Sequence, residues 1–122
     1  MKTIQEIYDI LNHAHGTEHY HRVSTFMGAP VATDGVVSLA KAAECFWLLD
    51  AIISYRNNKC IPTPNFQVWK LTVDTNTESA VLECLDDDKN VVIRQDIEYT
   101  DFPLPEIIIW VVSGVIMLPS EY

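Results

Sequence analysis

Apolar residues recur at helical spacing twice in the first half of the chain. In residues 4–13 they form one stripe, made of Ile4, Ile7, Tyr8, Ile10 and Leu11. This spacing predicts a short amphipathic helix with Thr3 as its N-cap and Gly16 as its terminator. Residues 36–58 follow Thr33, Asp34 and Gly35, are rich in Ala and Leu, and are apolar on most sides. They predict one long, buried helix at the centre of the core.

From residue 66 onward, apolar and polar residues alternate with a period of two. Strands are predicted at residues 66–73, 79–85 and 91–99, and a hairpin within residues 107–118 that turns at Ser113 and Gly114. Along the third strand, apolar residues point one way while Arg94, Asp96 and Glu98 point the other, so one face of the sheet is wet. These patterns predict an α+β fold: two N-terminal helices on an antiparallel meander of about five strands, in two layers and a single domain, 1–122.

The apolar stretches and the cysteines indicate in which cellular compartment the protein is expected. The longest apolar run has 12 residues, 107–118, against the ~20 that a membrane helix needs. The first residues do not resemble a secretory signal. Cys45, Cys60 and Cys84 are odd in number and show no C-x-x-C spacing, which favours reduced thiols. We therefore expect a cytoplasmic protein without membrane contact.

The net charge of −9 is unevenly distributed along the chain. Residues 1–73 contain six acidic and six basic side chains, whereas residues 74–122 contain eleven acidic and two basic ones. Nucleic-acid backbones are bound mainly through Lys and Arg, which displace counterions. The charge pattern therefore argues against a nucleic-acid partner.

All four histidines lie within residues 13–21, which read HAHGTEHYH. His13 and His15 would point about 200° apart around a helix, so they could not easily share a metal ion. His19 and His21 lie on one face of an extended segment, which makes them candidate metal ligands together with Glu18 or an acidic residue elsewhere in the chain. The competing interpretation places the first pair at a helix end and the second pair on an exposed strand or loop. We expect no cofactor.

Other candidate chemistry is sparse. Asp50 stands in the apolar stretch CFWLLDAII, which predicts a buried, hydrogen-bonded carboxylate, a carboxylate that reaches the edge of its helix or, alternatively, part of a site. The sequence DDDKN at 86–90 has calcium-loop spacing, but Val91 and Ile97 stand where such a loop needs Gly and Glu, so an acidic turn is expected. No phosphate-binding loop or hydrolase elbow occurs. The three tryptophans are expected in the core: Trp47, Trp69 and Trp110.

Six ordered phrases resemble a known family. They are GTEHYHR (16–22), TDGV (33–36), FWLLDAIISY (46–55), FQVWKLTV (66–73), IEYTDFPL (97–104) and LPSEY (118–122). Together they resemble a family of small bacterial proteins, also carried on mobile elements, that is defined as a domain of unknown function. The resemblance implies no activity or cofactor. It directs attention to Glu18, Tyr20 and Arg22, because relatives are tyrosine-rich after GTE, whereas His21 departs from that pattern.

Two hypotheses about function follow. The first is a non-enzymatic binding or regulatory accessory protein that contacts a protein partner through an acidic sheet face (Glu83, Asp96 and Glu98) or an exposed strand edge. The second is a small enzyme or a ligand or metal binder with a pocket around Glu18, His19, Tyr20, His21 and Asp50. Homodimer formation is also predicted, because a strongly apolar C-terminal hairpin in a small sheet needs cover.

Overall fold

A computed structural model describes residues 2–24, 29–55 and 58–122. These residues form three α-helices, seven strands and a C-terminal 3₁₀ turn. In chain order the elements are α1 (Ile4–His13), β1 (His21–Arg22), β2 (Val31–Ala32), α2 (Asp34–Ala42), α3 (Phe46–Ser54), β3 (Phe66–Asp74), β4 (Ser79–Leu85), β5 (Val91–Ile97), β6 (Glu106–Val112), β7 (Val115–Met117) and the 3₁₀ turn (Pro119–Glu121).

The first helix covers the predicted residues, but its C-cap is the extended Ala14 and not the predicted terminator Gly16. The Thr3 side chain accepts a hydrogen bond from the Glu6 backbone N–H at 3.2 Å and so caps α1. Ile7 is fully buried, whereas Ile4 and Tyr8 remain partly exposed. The predicted stripe therefore meets the core through Ile7, with Ile10 and Leu11 packed against it.

The predicted single long helix is wrong, because the chain forms α2 and α3 instead. Glu44 adopts a left-handed backbone conformation, with φ 51°, just after α2 ends. The Cys45 N–H then donates to the Ala40 carbonyl at 2.9 Å, a bond typical of a left-handed helix terminus. A glycine after a helix would have marked its end in the sequence. Glu44 stands at this position instead, so the sequence does not show where α2 ends. Residues 56 and 57 of the predicted helix lie outside the described part of the chain.

Within the described residues the sheet has seven strands rather than about five, and it is mixed. Its order is β1-β2-β7-β6-β3-β4-β5, with β2 parallel to β7 and the other neighbours antiparallel. The central strands match the predicted ones closely. Ser113 and Gly114 have φ values of 49° and 81°, as a two-residue hairpin turn with two positive φ angles requires.

The two faces of the sheet differ in cover. Trp69, Leu71 and Ile109 lie on one face and are buried with residues of α2 and α3, such as Leu39 and Leu49, in one hydrophobic cluster. The side chains on the other face are half-buried or exposed. We call this the open face; on β3 it carries Phe66, Val68, Lys70 and Thr72, and on β6 it carries Glu106, Ile108, Trp110 and Val112.

Candidate functional site

The C-terminus is tied to the start of α2. Thr33 caps this helix by accepting a hydrogen bond from the Val36 N–H at 3.3 Å. The Glu121 carboxylate accepts hydrogen bonds from the Thr33 hydroxyl at 2.6 Å, the Gly35 N–H at 3.2 Å and the Leu118 N–H at 3.0 Å. One carboxylate thus joins the end of the chain to the first turn of α2.

Asp34 joins the segment around residue 20 to the same turn. Its carboxylate accepts hydrogen bonds from the Glu18 N–H at 2.9 Å and from His21 Nε2 at 2.7 Å. Its own N–H donates to the Thr17 hydroxyl at 2.9 Å. The His21 hydrogen bond, helped by the Glu18 N–H, lowers the pKa of Asp34 to about 2. We call the set Thr17, Thr33, Asp34, Gly35 and Glu121 the α2 junction.

The α2 junction unites some of the predicted site residues and leaves others apart. Glu18 participates through its backbone N–H, while its side chain is exposed. Tyr20 is 64% exposed, and His19 and Arg22 are also exposed.

Asp50 is exposed on α3, so a buried position for its carboxylate is wrong and the alternative of a carboxylate at the helix edge is the one that remains. Among the described residues, no hydrogen bond joins Asp50 to residues 18–22. The structure thus brings Glu18 and His21 together at Asp34 and leaves Asp50 outside that contact.

The histidines of residues 13–21 do not converge on one point. His13 Nδ1 lies 2.7 Å from the Asp9 carbonyl oxygen one turn earlier in α1, so this ring donates back to its own helix. His21 contacts Asp34. Within residues 2–24, 29–55 and 58–122, no three His, Cys, Asp or Glu side chains are placed to hold a metal ion.

A groove opens on the open face of the sheet. It encloses about 580 Å³, and its floor is formed by apolar side chains of three strands and the residue that begins the C-terminal turn. These floor residues are Phe66, Val68, Leu85, Ile108, Trp110 and Pro119. Charged residues lie at the rim: Lys70, Asp86, Asp87 and Lys89.

Three aromatic rings meet beside this floor. The ring centroids of Phe66 and Trp110 are 5.1 Å apart, because the two residues are diagonal neighbours on β3 and β6. Tyr122 lies edge-on against both, at 5.7 Å from Phe66 and 5.6 Å from Trp110. Consecutive residues thus serve different sites, since Glu121 binds the α2 junction and Tyr122 completes this aromatic cluster.

Charged side chains alternate in sign near the groove. Lys70 Nζ lies 3.3 Å from Glu106 Oε1, and Lys70 is also paired across the strands with Glu83. Glu83 is paired in turn with Arg94, and Arg94 binds Asp96 within β5. The predicted acidic face is therefore interrupted by two basic residues. Glu98, its third predicted member, is exposed just beyond the end of β5.

The groove residues were not among the predicted site residues. Trp69 is buried as predicted, but Trp110 is only half-buried and belongs to the open face. The run IIIWVV in β6 is apolar on both of its faces, and a continuous apolar run of this kind is typical of a fully buried strand. Only one face is buried beneath the helices, so the same pattern marks an apolar surface.

Comparison with known proteins gives a family and no activity. A family model described as a family of unknown function, DUF6876, matches residues 5–122. The chain belongs to this family. No curated protein and no solved structure shows significant similarity to this DUF6876 member. Among its described helices, none is both long enough and apolar enough to cross a bilayer.

Proposed function

We propose that this DUF6876 member is a non-enzymatic binding protein that holds a segment of a partner protein in the groove on the open face. The observation that carries this proposal is the groove itself. An aromatic and aliphatic floor between charged rims is typical of sites where a few large side chains supply most of the binding energy. Three strands and Pro119 form this floor, and Tyr122 packs against two of its aromatic rings.

The negative charge of the protein as a whole favours a basic partner segment, because the rim itself contains two acidic residues, Asp86 and Asp87, and two basic ones, Lys70 and Lys89. Asp86 is held in the turn after β4, where it accepts hydrogen bonds from the Asp88 and Asn90 backbone N–H groups. Asp87 is exposed at the rim, and Lys70 is already paired with Glu106. The net charge of −9, carried by the C-terminal part of the chain, adds a negative field. A segment with an aromatic or long aliphatic side chain flanked by Lys or Arg would therefore complement the groove.

The alternative of a pocket around Glu18, His19, Tyr20, His21 and Asp50 has less support. The Glu18 N–H and the His21 ring are both occupied with Asp34, in contacts that hold the α2 junction together. We therefore assign a positioning role in the fold to His21 and Asp34. No observation brings Asp50 to the same place.

Three fluorescently labelled peptides test the proposal by anisotropy. One has a central Trp flanked by lysines, one has the same Trp flanked by glutamates, and one has Ala in place of Trp between the lysines. We expect the first to bind most tightly, and Trp110→Ala to weaken it by about tenfold or more, as for an aromatic residue at the centre of an interface. Added salt should weaken it further.

Tyr20→Ala is the matched control, because it removes an exposed aromatic ring outside the groove. It should leave the affinity unchanged. Equal binding of all three peptides, absence of binding, or a loss on Tyr20→Ala equal to that on Trp110→Ala would overturn the proposal. The last result would favour the alternative site.

A further inference from the structure

The strand β5 forms one end of the sheet. It has seven residues, whereas β1 at the other end has two. Within the part of the chain that the structure describes, β5 pairs with β4 alone, so its outer edge presents backbone N–H and C=O groups without a strand partner. Long open edges of this kind are templates for pairing with another strand.

The sequence of β5 is complementary to itself around Gln95. In an antiparallel pair of two β5 strands centred on this residue, Arg94 of each copy lies opposite Asp96 of the other. Ile93 likewise lies opposite Ile97. We propose that this protein forms a symmetric homodimer through β5, which joins the two sheets into one.

The side chains of one protomer are already arranged for this pairing. Arg94 and Asp96 project on the open face, 59% and 76% exposed, with Arg94 Nη2 at 3.2 Å from Asp96 Oδ1. Pairing would place a second Asp96 across from each Arg94, so four charges would alternate in sign. On the other face, the Tyr55 hydroxyl donates to Gln95 Oε1 at 2.9 Å and fixes the central residue.

The charges also select one register. Registers that keep both open faces on the same side of the joined sheet differ by steps of two residues. A shift of two in one direction places Arg94 opposite Arg94, and a shift in the other places Asp96 opposite Asp96. Like charges directly opposite each other destabilise a strand pair, so the register centred on Gln95 is favoured.

This dimer differs in its interface from the one suggested by the apolar C-terminal hairpin. The strands of that hairpin, β6 and β7, lie inside the sheet between β3 and β2, so they offer no free edge. A dimer through β5 also leaves the groove open. A single strand pair buries little surface, so the dimer should exchange with the monomer as the protein is diluted.

Sedimentation velocity over a range of protein concentrations tests the inference. The unmodified protein should shift from monomer to dimer as its concentration rises. Asp96→Arg places Arg opposite Arg twice and should shift this transition to at least about tenfold higher concentration. The double variant Arg94→Asp/Asp96→Arg restores opposite charges at both places and should restore the dimer.

Asp50→Arg changes the net charge by the same amount on exposed α3 and is the matched control, expected to dimerise normally. Trp110→Ala should also dimerise normally, which separates this inference from the proposed function. A protein that stays monomeric at every concentration, a dimer that Asp96→Arg leaves intact, or a double variant that remains monomeric would each overturn the β5 dimer.

Discussion

The Glu121 carboxylate accepts a hydrogen bond from the Thr33 hydroxyl at 2.6 Å, across 88 residues of sequence. Thr33 is the N-cap of α2, so the C-terminal turn takes part in starting a helix early in the chain. The next residue, Tyr122, leaves the α2 junction and packs against Phe66 and Trp110 on the open face. The stability of the helix layer and the packing of the aromatic cluster beside the groove therefore depend on two consecutive residues.

Removing the Glu121 side chain should destabilise the protein. Glu121→Ala leaves the Gly35 and Leu118 N–H groups and the Thr33 hydroxyl without their carboxylate acceptor. We expect the free energy of unfolding to fall by about 1–3 kcal/mol, measured by urea denaturation. Glu18→Ala is the control, because the Glu18 contact with Asp34 uses the backbone N–H. Glu18→Ala should lower the free energy of unfolding by less than about 0.5 kcal/mol. Equal losses in the two variants would show that the Glu121 hydrogen bonds do not stabilise the fold.

A close approach at Gly35 gives a second stability prediction. A Cβ added there would lie 2.8 Å from Glu121 Oε1 and 2.9 Å from the Ala14 Cβ. Gly35→Ala should therefore displace the C-terminal turn and cost about 1–3 kcal/mol of unfolding free energy. Gly16→Ala adds the same methyl group where nothing lies within 4 Å, so its unfolding free energy, measured by the same urea denaturation, should change little. Similar losses of unfolding free energy in the two variants would show that Glu121 and Ala14 do not pack tightly against Gly35.

The sequence predicts those helices and strands that are determined by their own residues and immediate neighbours. Helix α1 has its cap and its apolar spacing within its own residues, and β3 and β4 show clear alternation. The break between α2 and α3 has no such signal, since Glu44 adopts its left-handed conformation without being Gly. The two-residue strands β1 and β2 are too short for any periodicity. Their position follows from pairing with each other and with β7.

The candidate sites were harder to predict, because they depend on which face of the sheet is covered. Trp110 and Ile108 belong to a run that is apolar on both faces, and the sequence does not say that helices cover only one of them. The HAHGTEHYH segment is conspicuous as a group of histidines, but it is joined to α2 at Asp34 by the Thr17 hydroxyl and the Glu18 N–H as well as by the His21 ring. The partner of His21 lies 13 residues later in the sequence.

The three cysteines should differ in reactivity. Burial raises the pKa of the Cys45 thiol to about 12 and that of Cys84 to about 11, whereas Cys60 is exposed. Because the thiolate is the reactive form, a disulfide reagent should modify Cys60 rapidly in the native protein and the other two only after unfolding. Peptide mass spectrometry after brief labelling identifies the sites. Rapid labelling of Cys45 or Cys84 in the native protein would contradict their burial in the core. As a control, Cys60→Ser should abolish the rapid labelling of the native protein.

The Asp34 contacts should make stability depend on acidity in a defined range. The His21 hydrogen bond lowers the pKa of Asp34 from 3.8 to about 2 in the folded protein. The folded state therefore holds the ionised carboxylate more strongly than the unfolded chain does, which stabilises the fold at any pH above about 3.8. This contribution should decline as the pH falls below that value and should be gone once the pH is below about 2.

Two measurements check this dependence. Carboxyl carbon chemical shifts should give an Asp34 midpoint near 2 in the native protein, and His21→Ala should raise it, because the largest cause of the lowered pKa is removed. Urea denaturation at a series of pH values should show the unfolding free energy of the unmodified protein approaching that of Asp34→Asn as the pH falls toward 2. A constant difference between these two proteins across that range, or an unchanged Asp34 midpoint in His21→Ala, would mean that the His21 contact does not hold the α2 junction in solution.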